Sequence, residues 1–159
     1  MRFPLSFVVA AAGAVACAGH MGGGGPAPAV PIDPDSTRWI AHIQPARMDA
    51  LGINVFGEIR VSPGRKPGTS HIELNITGAP VGAELPWIIR TGRCGAVNPV
   101  DVGYPESYRT IEARGDGTAS LEYDLPAVLS TTEDHQIDIF AGIMQRNSIV
   151  ACGLFAPIT

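Results

Sequence analysis

The sequence predicts an all-β domain of eight antiparallel strands, arranged as a sandwich or a flattened barrel, and two observations lead to this class. Between residues 37 and 155, short runs of alternating apolar and polar residues are separated by Gly, Pro, Asn and Asp. No run in that region has a convincing helical period beyond a turn at residues 46–51. Many short strands divided by turn residues are typical of antiparallel sandwiches and barrels.

The alternation places the strands along the chain. In Ser70–Thr77 every second residue is apolar, which predicts that Ile72, Leu74 and Ile76 point into the core. The dipeptide at residues 116–117 is Asp-Gly, which tolerates positive φ and predicts a tight hairpin. The eight predicted strands span residues 39–44, 53–61, 70–77, 86–90, 108–114, 118–125, 136–142 and 148–155.

Length and charge limit the classes of function. A chain of 159 residues fits one domain that can bury a core without metals or several disulfides. The formal net charge is -4, and no segment gathers a stripe of basic residues. This distribution argues against nucleic acid as a partner.

The first residues predict export. Arg2 precedes an apolar run that extends to Ala16, which has the length of a signal-peptide core and is too short for a stable membrane span. Residues 14–17, Ala-Val-Ala-Cys, are similar to a relaxed bacterial lipobox, so we favour a lipoprotein signal at residues 1–16 and lipidation of Cys17. The alternative is an ordinary secretory signal cut near Ala16 or Ala18, which leaves Cys17 without a role.

Residues 17–36 are dominated by glycine and then proline, a composition that cannot bury enough apolar surface to form a core. We predict that they form a flexible tether. The tether would hold a β-sandwich domain of residues 37–159 away from a bacterial membrane, with the lipid anchor as the contact to that membrane.

Four short motifs in the second half of the chain carry a resemblance to a known family. Cys94 follows a strand and a glycine turn, Asn-Pro stands at residues 98–99, Asp-Gly-Thr-Ala at residues 116–119, and Ala-Cys-Gly at residues 151–153. In this order and spacing they resemble secreted copper/zinc superoxide dismutases, and also looser secreted relatives of that sandwich such as chordin-type domains. The resemblance implies an eight-stranded Greek-key barrel.

The resemblance also implies a disulfide between Cys94 and Cys152, the two cysteines of the sequence other than Cys17. An exported compartment permits such a bond. It would pin the Gly- and Pro-rich segment at residues 92–107 onto the last strand.

The metal ligands of the resembling family are not found at the matching positions. Ile88 and Arg90 stand at the place of its His-x-His pair, Ala96 at that of its bridging histidine, and Phe140 at that of a later strand histidine. Isoleucine and phenylalanine have no donor atom for a metal, and arginine stays protonated. The sequence therefore predicts no metal, no cofactor and no catalysis, and instead a binding or structural role toward an envelope protein or ligand that the sequence does not identify.

Four histidines remain, His20, His42, His71 and His135, and we predict that all are surface residues because no spacing places two on one side of one element. Two alternatives stay open. The chain could be a divergent dismutase with other ligands, or a copper-holding protein that uses His71, His135 and Met144.

The last expectation concerns a candidate surface patch of Ile88, Arg90 and Phe140. Alternation puts Ile88 and Arg90 on one face of their strand, and Phe140 on the outer face of another, with Gln136 and Asp138. In the resembling fold these three side chains converge outside the barrel, under the disulfide-pinned loop. They would form either a small satellite core with Arg90 stretched over Phe140, which we favour, or a site that recognises a partner.

Overall fold

The computed structural model describes residues 37–46, 53–145 and 148–158. The predicted signal peptide, the tether with Cys17 and most of the turn at residues 46–51 lie outside these ranges. The described strands are β1 (Arg38–Pro45), β2 (Phe56–Pro63), β3 (Ser70–Thr77), β4 (Glu84–Leu85), β5 (Trp87–Thr91), β6 (Ile111–Glu112), β7 (Ala119–Leu125), β8 (His135–Phe140) and β9 (Ile149–Ile158).

The strands form a curled antiparallel sheet in the order β5-β8-β9-β1-β2-β3-β7, and β4 pairs with β6 in a small second sheet. The predicted all-β class is therefore confirmed. Two short 3-10 helices, Pro105–Ser107 and Ile143–Gln145, accompany the strands. Neither of these described helices has the length and hydropathy needed to span a bilayer.

Alternate side chains of the curled sheet fill its inside. Ile72, Leu74 and Ile76 are at most 2% exposed, as the period of two predicts. Leu74 lies between Ile59 of β2 and Leu121 of β7 in the strand register. A fully buried Leu or Ile side chain stabilises the fold by about 1.5–3 kcal/mol, so this row is a main source of stability.

The tight turn predicted at Asp116-Gly117 is present, but the hairpin is not: β6 pairs with β4 and β7 with β3, so the strands on the two sides of the turn do not pair with each other. Gly117 has a φ of 76°, and the backbone N–H of Arg114 donates to the carbonyl of Thr118 at 2.8 Å. The Asp116 carboxylate accepts hydrogen bonds from both the backbone and the hydroxyl of Thr118, which lower the pKa of Asp116. The turn joins β6 to β7.

The strand predicted at residues 86–90 is β5, displaced by one residue because Pro86 has no N–H for a ladder, whereas β4 lies outside every predicted strand. One predicted strand is much shorter in the structure. The strand predicted at residues 108–114 shortens to Ile111–Glu112, because the carbonyl of Arg109 accepts a hydrogen bond from the Trp87 indole at 2.7 Å instead of joining a ladder.

Candidate functional site beneath the disulfide-linked loop

A long loop, residues 92–110, covers the outer face of β5 and β8, and we call it the covering loop. The predicted disulfide between Cys94 and Cys152 is present, with a Cα–Cα distance of 6.0 Å, and it fastens the loop to β9. The backbone N–H of Thr91 donates to the carbonyl of Val100, and that of Val102 to Ile89, each at 2.8 Å. The loop is thus held by a covalent bond and by the free edge of β5.

The structure brings the patch residues Ile88, Arg90 and Phe140 together beneath the covering loop. The Arg90 guanidinium lies 5.3 Å from the centre of the Phe140 ring, a cation–π distance. Ile88 is 5% and Phe140 4% exposed, so these side chains do not form an open surface. Together with Asp101 and Tyr108, among others, they line a small cleft of about 100 Å³.

Arg90 is the centre of an ion-pair network in this region. Its Nε donates to Asp101 Oδ1 of the covering loop at 2.8 Å, and its Nη1 donates to Asp138 Oδ2 of β8 at 3.3 Å. The Arg90 side chain is 23% exposed and that of Asp138 is not exposed at all. One cation therefore links the loop to the barrel through two carboxylates.

Asp138 and Gln136 form a buried polar pair on the outer face of β8. Gln136 Nε2 donates to Asp138 Oδ2 at 3.0 Å, while Asp138 Oδ1 and Gln136 Oε1 have no hydrogen-bond partner among the described residues. Burial raises the pKa of Asp138, and the charge of Arg90 opposes that rise without cancelling it. A protonated Asp138 could donate a hydrogen bond through its O–H, whereas the ionised carboxylate can only accept.

Aromatic side chains close the other side of the cleft. Trp87 and Tyr108 meet edge to face, with ring centres 5.0 Å apart, and the Tyr108 hydroxyl donates to the carbonyl of Val102. Burial raises the pKa of Tyr108 even further above neutrality than that of a free tyrosine. These contacts give the covering loop its own small core against the barrel.

The residues present do not fit a dismutase-type copper site. Ile88 and Arg90, which the resemblance aligns with two imidazoles, have no metal-donor atom and a permanent positive charge, respectively. Ala96 lies in an exposed turn in which its N–H donates to the carbonyl of Arg93. Copper sites of that type need several imidazole donors around one ion. Across residues 37–46, 53–145 and 148–158, no group of three or more His, Cys, Asp or Glu side chains is placed to hold a metal ion.

The alternative copper ligands do not converge. His71 Nδ1 is 2.9 Å from Asp124 Oδ1 on the outer face of the sheet, whereas His135 is buried where β8 begins. Met144 follows the other end of β8 and is 95% exposed. A strand of six residues is about 20 Å long, so one ion cannot contact both His135 and Met144 in this arrangement.

The prediction that all histidines lie on the surface is wrong for His135, which is 2% exposed. Its ring packs edge to face on Trp39, and its Nε2 is 2.9 Å from the Ser130 carbonyl, which can only accept, so Nε2 carries the proton. The sequence contains a signal for this burial. His135 lies two residues before Ile137 and four before Ile139, so alternation along a strand puts the three side chains on the same face. His42 is exposed, and His20 lies outside the described residues.

Comparison with known proteins does not assign this chain to a family. No protein-family model matches this sequence, and no curated protein matches it. The fold and the site define an all-β domain in which a disulfide-linked loop covers a partly buried network of one arginine and two aspartates.

Proposed function

We propose that this chain is an exported, lipid-anchored domain of the superoxide-dismutase-like Greek-key type with a non-catalytic role in the bacterial cell envelope, either binding a partner or supporting envelope structure. In this proposal an arginine–carboxylate network takes the place of the metal site. The network between Arg90, Asp101 and Asp138 is the single observation that carries the proposal, because an arginine cation paired with two carboxylates occupies the region where the resemblance implies metal ligands.

The strand order supports the Greek-key part of the proposal. Counting β4 and β5 as one strand interrupted at Pro86 gives eight strands. The β3–β4 and β7–β8 connections each join strands that are not neighbours in the main sheet, whereas β1, β2 and β3 follow one another directly. A run of hairpins followed by a long return connection is the pattern of a Greek key.

The sequence of the leader and the disulfide support export. Residues 1–17 have the pattern of a bacterial lipoprotein signal, and the Cys94–Cys152 bond suits an oxidising compartment. A Gly- and Pro-rich tether follows the leader, as expected for a domain held at a membrane.

The covering loop carries exposed apolar residues that a partner could contact. Val97, Val100 and Tyr104 are 88%, 66% and 69% exposed. Contiguous exposed apolar patches mark surfaces that contact another molecule, so we propose these residues as the place to look for one. The partner on this side would be an envelope protein or ligand with apolar groups of its own.

Metal content tests the proposal against both alternatives. The protein is produced in cells supplemented with copper and zinc, purified without chelator, and analysed for bound metal and for superoxide dismutation. We expect no stoichiometric copper or zinc and no activity above the free-metal background, because the described residues offer no suitable donor group.

Each other outcome identifies an alternative. One tightly held copper per chain with dismutation would mean a divergent dismutase, and one copper without turnover would mean a copper-holding protein. Loss of that copper on changing His71 and His135 to Gln, with an unchanged circular dichroism spectrum, would assign the ligands and overturn the metal-free proposal.

A further inference from the structure

The main sheet ends in two strands, β5 and β7, and the covering loop protects the outer edge of β5 only. The backbone of β5 bonds to that loop at Ile89 and Thr91. At the other end of the sheet, β7 pairs with β3 along its whole length, and no described strand pairs with its opposite edge. Such an edge presents a row of backbone N–H and C=O groups to which a further strand can bond.

Hydrogen bonds at the start of β7 show which of its residues present these groups. The Gly117 carbonyl accepts from the N–H of Ala79, on the side of β3, whereas the Thr118 carbonyl accepts from the N–H of Arg114, on the side of β6. Successive residues of a strand direct their backbone groups to opposite neighbours. The backbone groups of residues 120, 122 and 124 therefore point away from β3.

An open space lies beside this edge, and we call it the edge cleft. Residues 110–112 line one side of it and Ser120 and Leu121 the other, around a volume of about 690 Å³. The chain before β6 leaves β7 because the Arg109 carbonyl accepts its hydrogen bond from the Trp87 indole. The edge cleft therefore separates two stretches of backbone that meet at the turn but do not form a ladder.

The outer face of the sheet beside the edge is acidic. Glu122 of β7 lies opposite Glu73 of β3, and their side chains are 73% and 51% exposed. Asp124 is the next outer residue along β7. A second copy of β7 at this edge would bring its own carboxylates beside these, and like charges on neighbouring strands disfavour pairing. A strand with basic side chains on the outer face would be attracted instead.

The nearby cations leave Glu122 available. The Nε atom of Arg65 is 3.8 Å from Asp124, and its side chain is 87% exposed, so this contact is long and easily exchanged. The Arg109 guanidinium lies over the ring of Tyr123, whose side chain belongs to the buried face of β7.

We propose that the edge of β7 at residues 120–124 binds an extended segment of a partner protein by strand addition, and that this segment alternates basic and apolar residues. Its basic residues would lie opposite Ser120, Glu122 and Asp124 and exchange backbone hydrogen bonds with them, and its apolar side chains would lie beside Leu121. The inference rests on the proposed binding role and specifies the chemistry of the partner at a surface other than the covering loop.

A short synthetic peptide, Lys-Val-Lys-Val-Lys-Val-Lys with blocked ends, tests the charge and the place of binding. It is titrated into the isotope-labelled Cys17→Ser chain, which carries no lipid, while the backbone amide resonances are recorded. We expect shifts and slower hydrogen exchange at the amides of residues 120, 122 and 124. The same peptide with glutamate in place of every lysine should cause neither change.

Methylation of single peptide nitrogens tests the backbone pairing. The lysine N–H groups should donate to β7, whereas the valine N–H groups point away from it. Methylating the nitrogen of the central lysine should weaken binding by about 2- to 10-fold relative to methylating that of a neighbouring valine, the effect of one net hydrogen bond. Equal effects of the two methyl groups would contradict strand addition.

Two matched variants test the role of Glu122. Glu122→Gln should weaken binding of the lysine peptide by up to about fivefold, the effect of one exposed ion pair. Glu58→Gln removes the same charge from the outer face of β2, two strands away from the edge, and should leave binding unchanged. Glu122→Lys should transfer the preference to the glutamate peptide, and an unchanged preference would contradict the assigned contact.

Proline substitutions test the open edge without any peptide. Glu122→Pro removes an N–H that points away from β3 and should unfold in urea near the midpoint of Glu122→Gln. Leu121→Pro removes an N–H that bonds to β3 and should unfold at a much lower midpoint. If Glu122→Pro were as unstable as Leu121→Pro, that N–H would already have a partner and the edge would not be open.

Three further results would overturn the proposal. They are the absence of shifts with either peptide, shifts confined to the covering loop, and shifts of the β7 amides that depend on protein concentration alone, which would assign the edge to a second copy. None of these measurements involves metal content or the lipid. A negative result therefore leaves the proposed function standing, and stoichiometric copper would refute that function without closing the edge.

Discussion

At the scale of single residues, Arg90 connects parts of the chain that the sequence keeps far apart. Its guanidinium contacts Asp101 of the covering loop, Asp138 of β8 and the ring of Phe140. We predict that Arg90→Met lowers the free energy of unfolding by about 2–4 kcal/mol, because it leaves the Asp138 carboxylate buried without its cation. Urea unfolding monitored by tryptophan fluorescence measures this change.

The matched control is Arg60→Met. Arg60 also has an ion pair, with Glu58 at 2.7 Å, but its side chain is 59% exposed. Exposed pairs contribute about 0–1 kcal/mol, so this variant should unfold near the parent midpoint. Equal losses of unfolding free energy in the two variants would mean that the burial of Asp138 does not make its ion pair with Arg90 more stabilising than an exposed pair.

The burial of the Asp138 carboxyl predicts an unusual dependence of the protein's stability on pH. Burial raises the pKa of Asp138 in the folded state above that in the unfolded chain. The folded state therefore favours the protonated form, so this group's contribution to stability is complete below the unfolded pKa and is lost as pH rises through the folded pKa. Asp138→Asn keeps the size of the side chain and cannot ionise.

We expect the stability of the parent relative to Asp138→Asn to fall as pH increases from about 4, near the unfolded value for aspartate, toward neutrality. Unfolding both proteins in urea across that range measures the difference and cancels the other carboxylates, which the two share. A parent advantage that grows with pH would show that attraction to Arg90 outweighs the cost of burial.

Single residues also show what alternation can and cannot predict. The sequence places Phe140, Gln136 and Asp138 on one outer face of β8, and the structure agrees, since Arg90 contacts both Asp138 and Phe140 and Gln136 donates to Asp138. The burial of all three was not visible in the pattern, because it depends on a loop that comes from far away in the chain. His135 is the opposite case, since parity alone places it with Ile137 and Ile139 in the core.

At the scale of elements, the covering loop should depend on its disulfide. The Cys94–Cys152 bond closes a sequence separation of 58 residues, so reduction should lower the free energy of unfolding by about 2–4 kcal/mol. Urea unfolding with and without a phosphine reductant measures this, and the Cys94→Ser/Cys152→Ser double variant should match the reduced protein. Cys17→Ser should not change the midpoint.

Backbone hydrogen bonds between the covering loop and β5 limit how much of the loop can open when the disulfide is reduced. Val100 and Val102 remain paired with β5 when the disulfide is open, so the arc at residues 93–99 should loosen first. Native protein purified without reductant whose Cys94 and Cys152 both react with a thiol reagent would count decisively against the bond.

Among the elements, those with a regular period were the most predictable. The predicted strand at residues 70–77 matches β3, because an alternation of eight residues has only one way to bury its apolar face. β4 has two residues, too few to produce a period. Tyr108 and Arg109 read as strand residues, but the Trp87 contacts divert them, and such tertiary contacts leave no periodic trace.

At the scale of the whole molecule, the described chain begins beside the hairpin that joins β2 to β3. Thr37 and Trp39 line a pocket together with Arg65 and Lys66 of that hairpin. The turn at Asp116-Gly117 lies at the opposite end of the barrel, since β3 runs from Ser70 beside the hairpin to Thr77, and the N–H of Ala79 donates to the carbonyl of Gly117. If Cys17 carries a lipid, as we propose, the lipid is joined to the domain through the chain that leads into β1.

The last prediction concerns how the whole protein is attached to the membrane. If Cys17 carries the lipid, the mature protein should fractionate with membranes and enter the detergent phase, because acyl chains transfer about 0.8 kcal/mol per buried methylene into the bilayer. Cys17→Ser should appear in the soluble exported fraction or remain unprocessed. Cys94→Ser is the control for loss of a cysteine as such, and it should stay with the membranes because Cys94 lies in the folded domain. Mature parent protein found wholly in the soluble fraction would assign residues 1–16 to an ordinary secretory signal and leave the barrel free in its compartment.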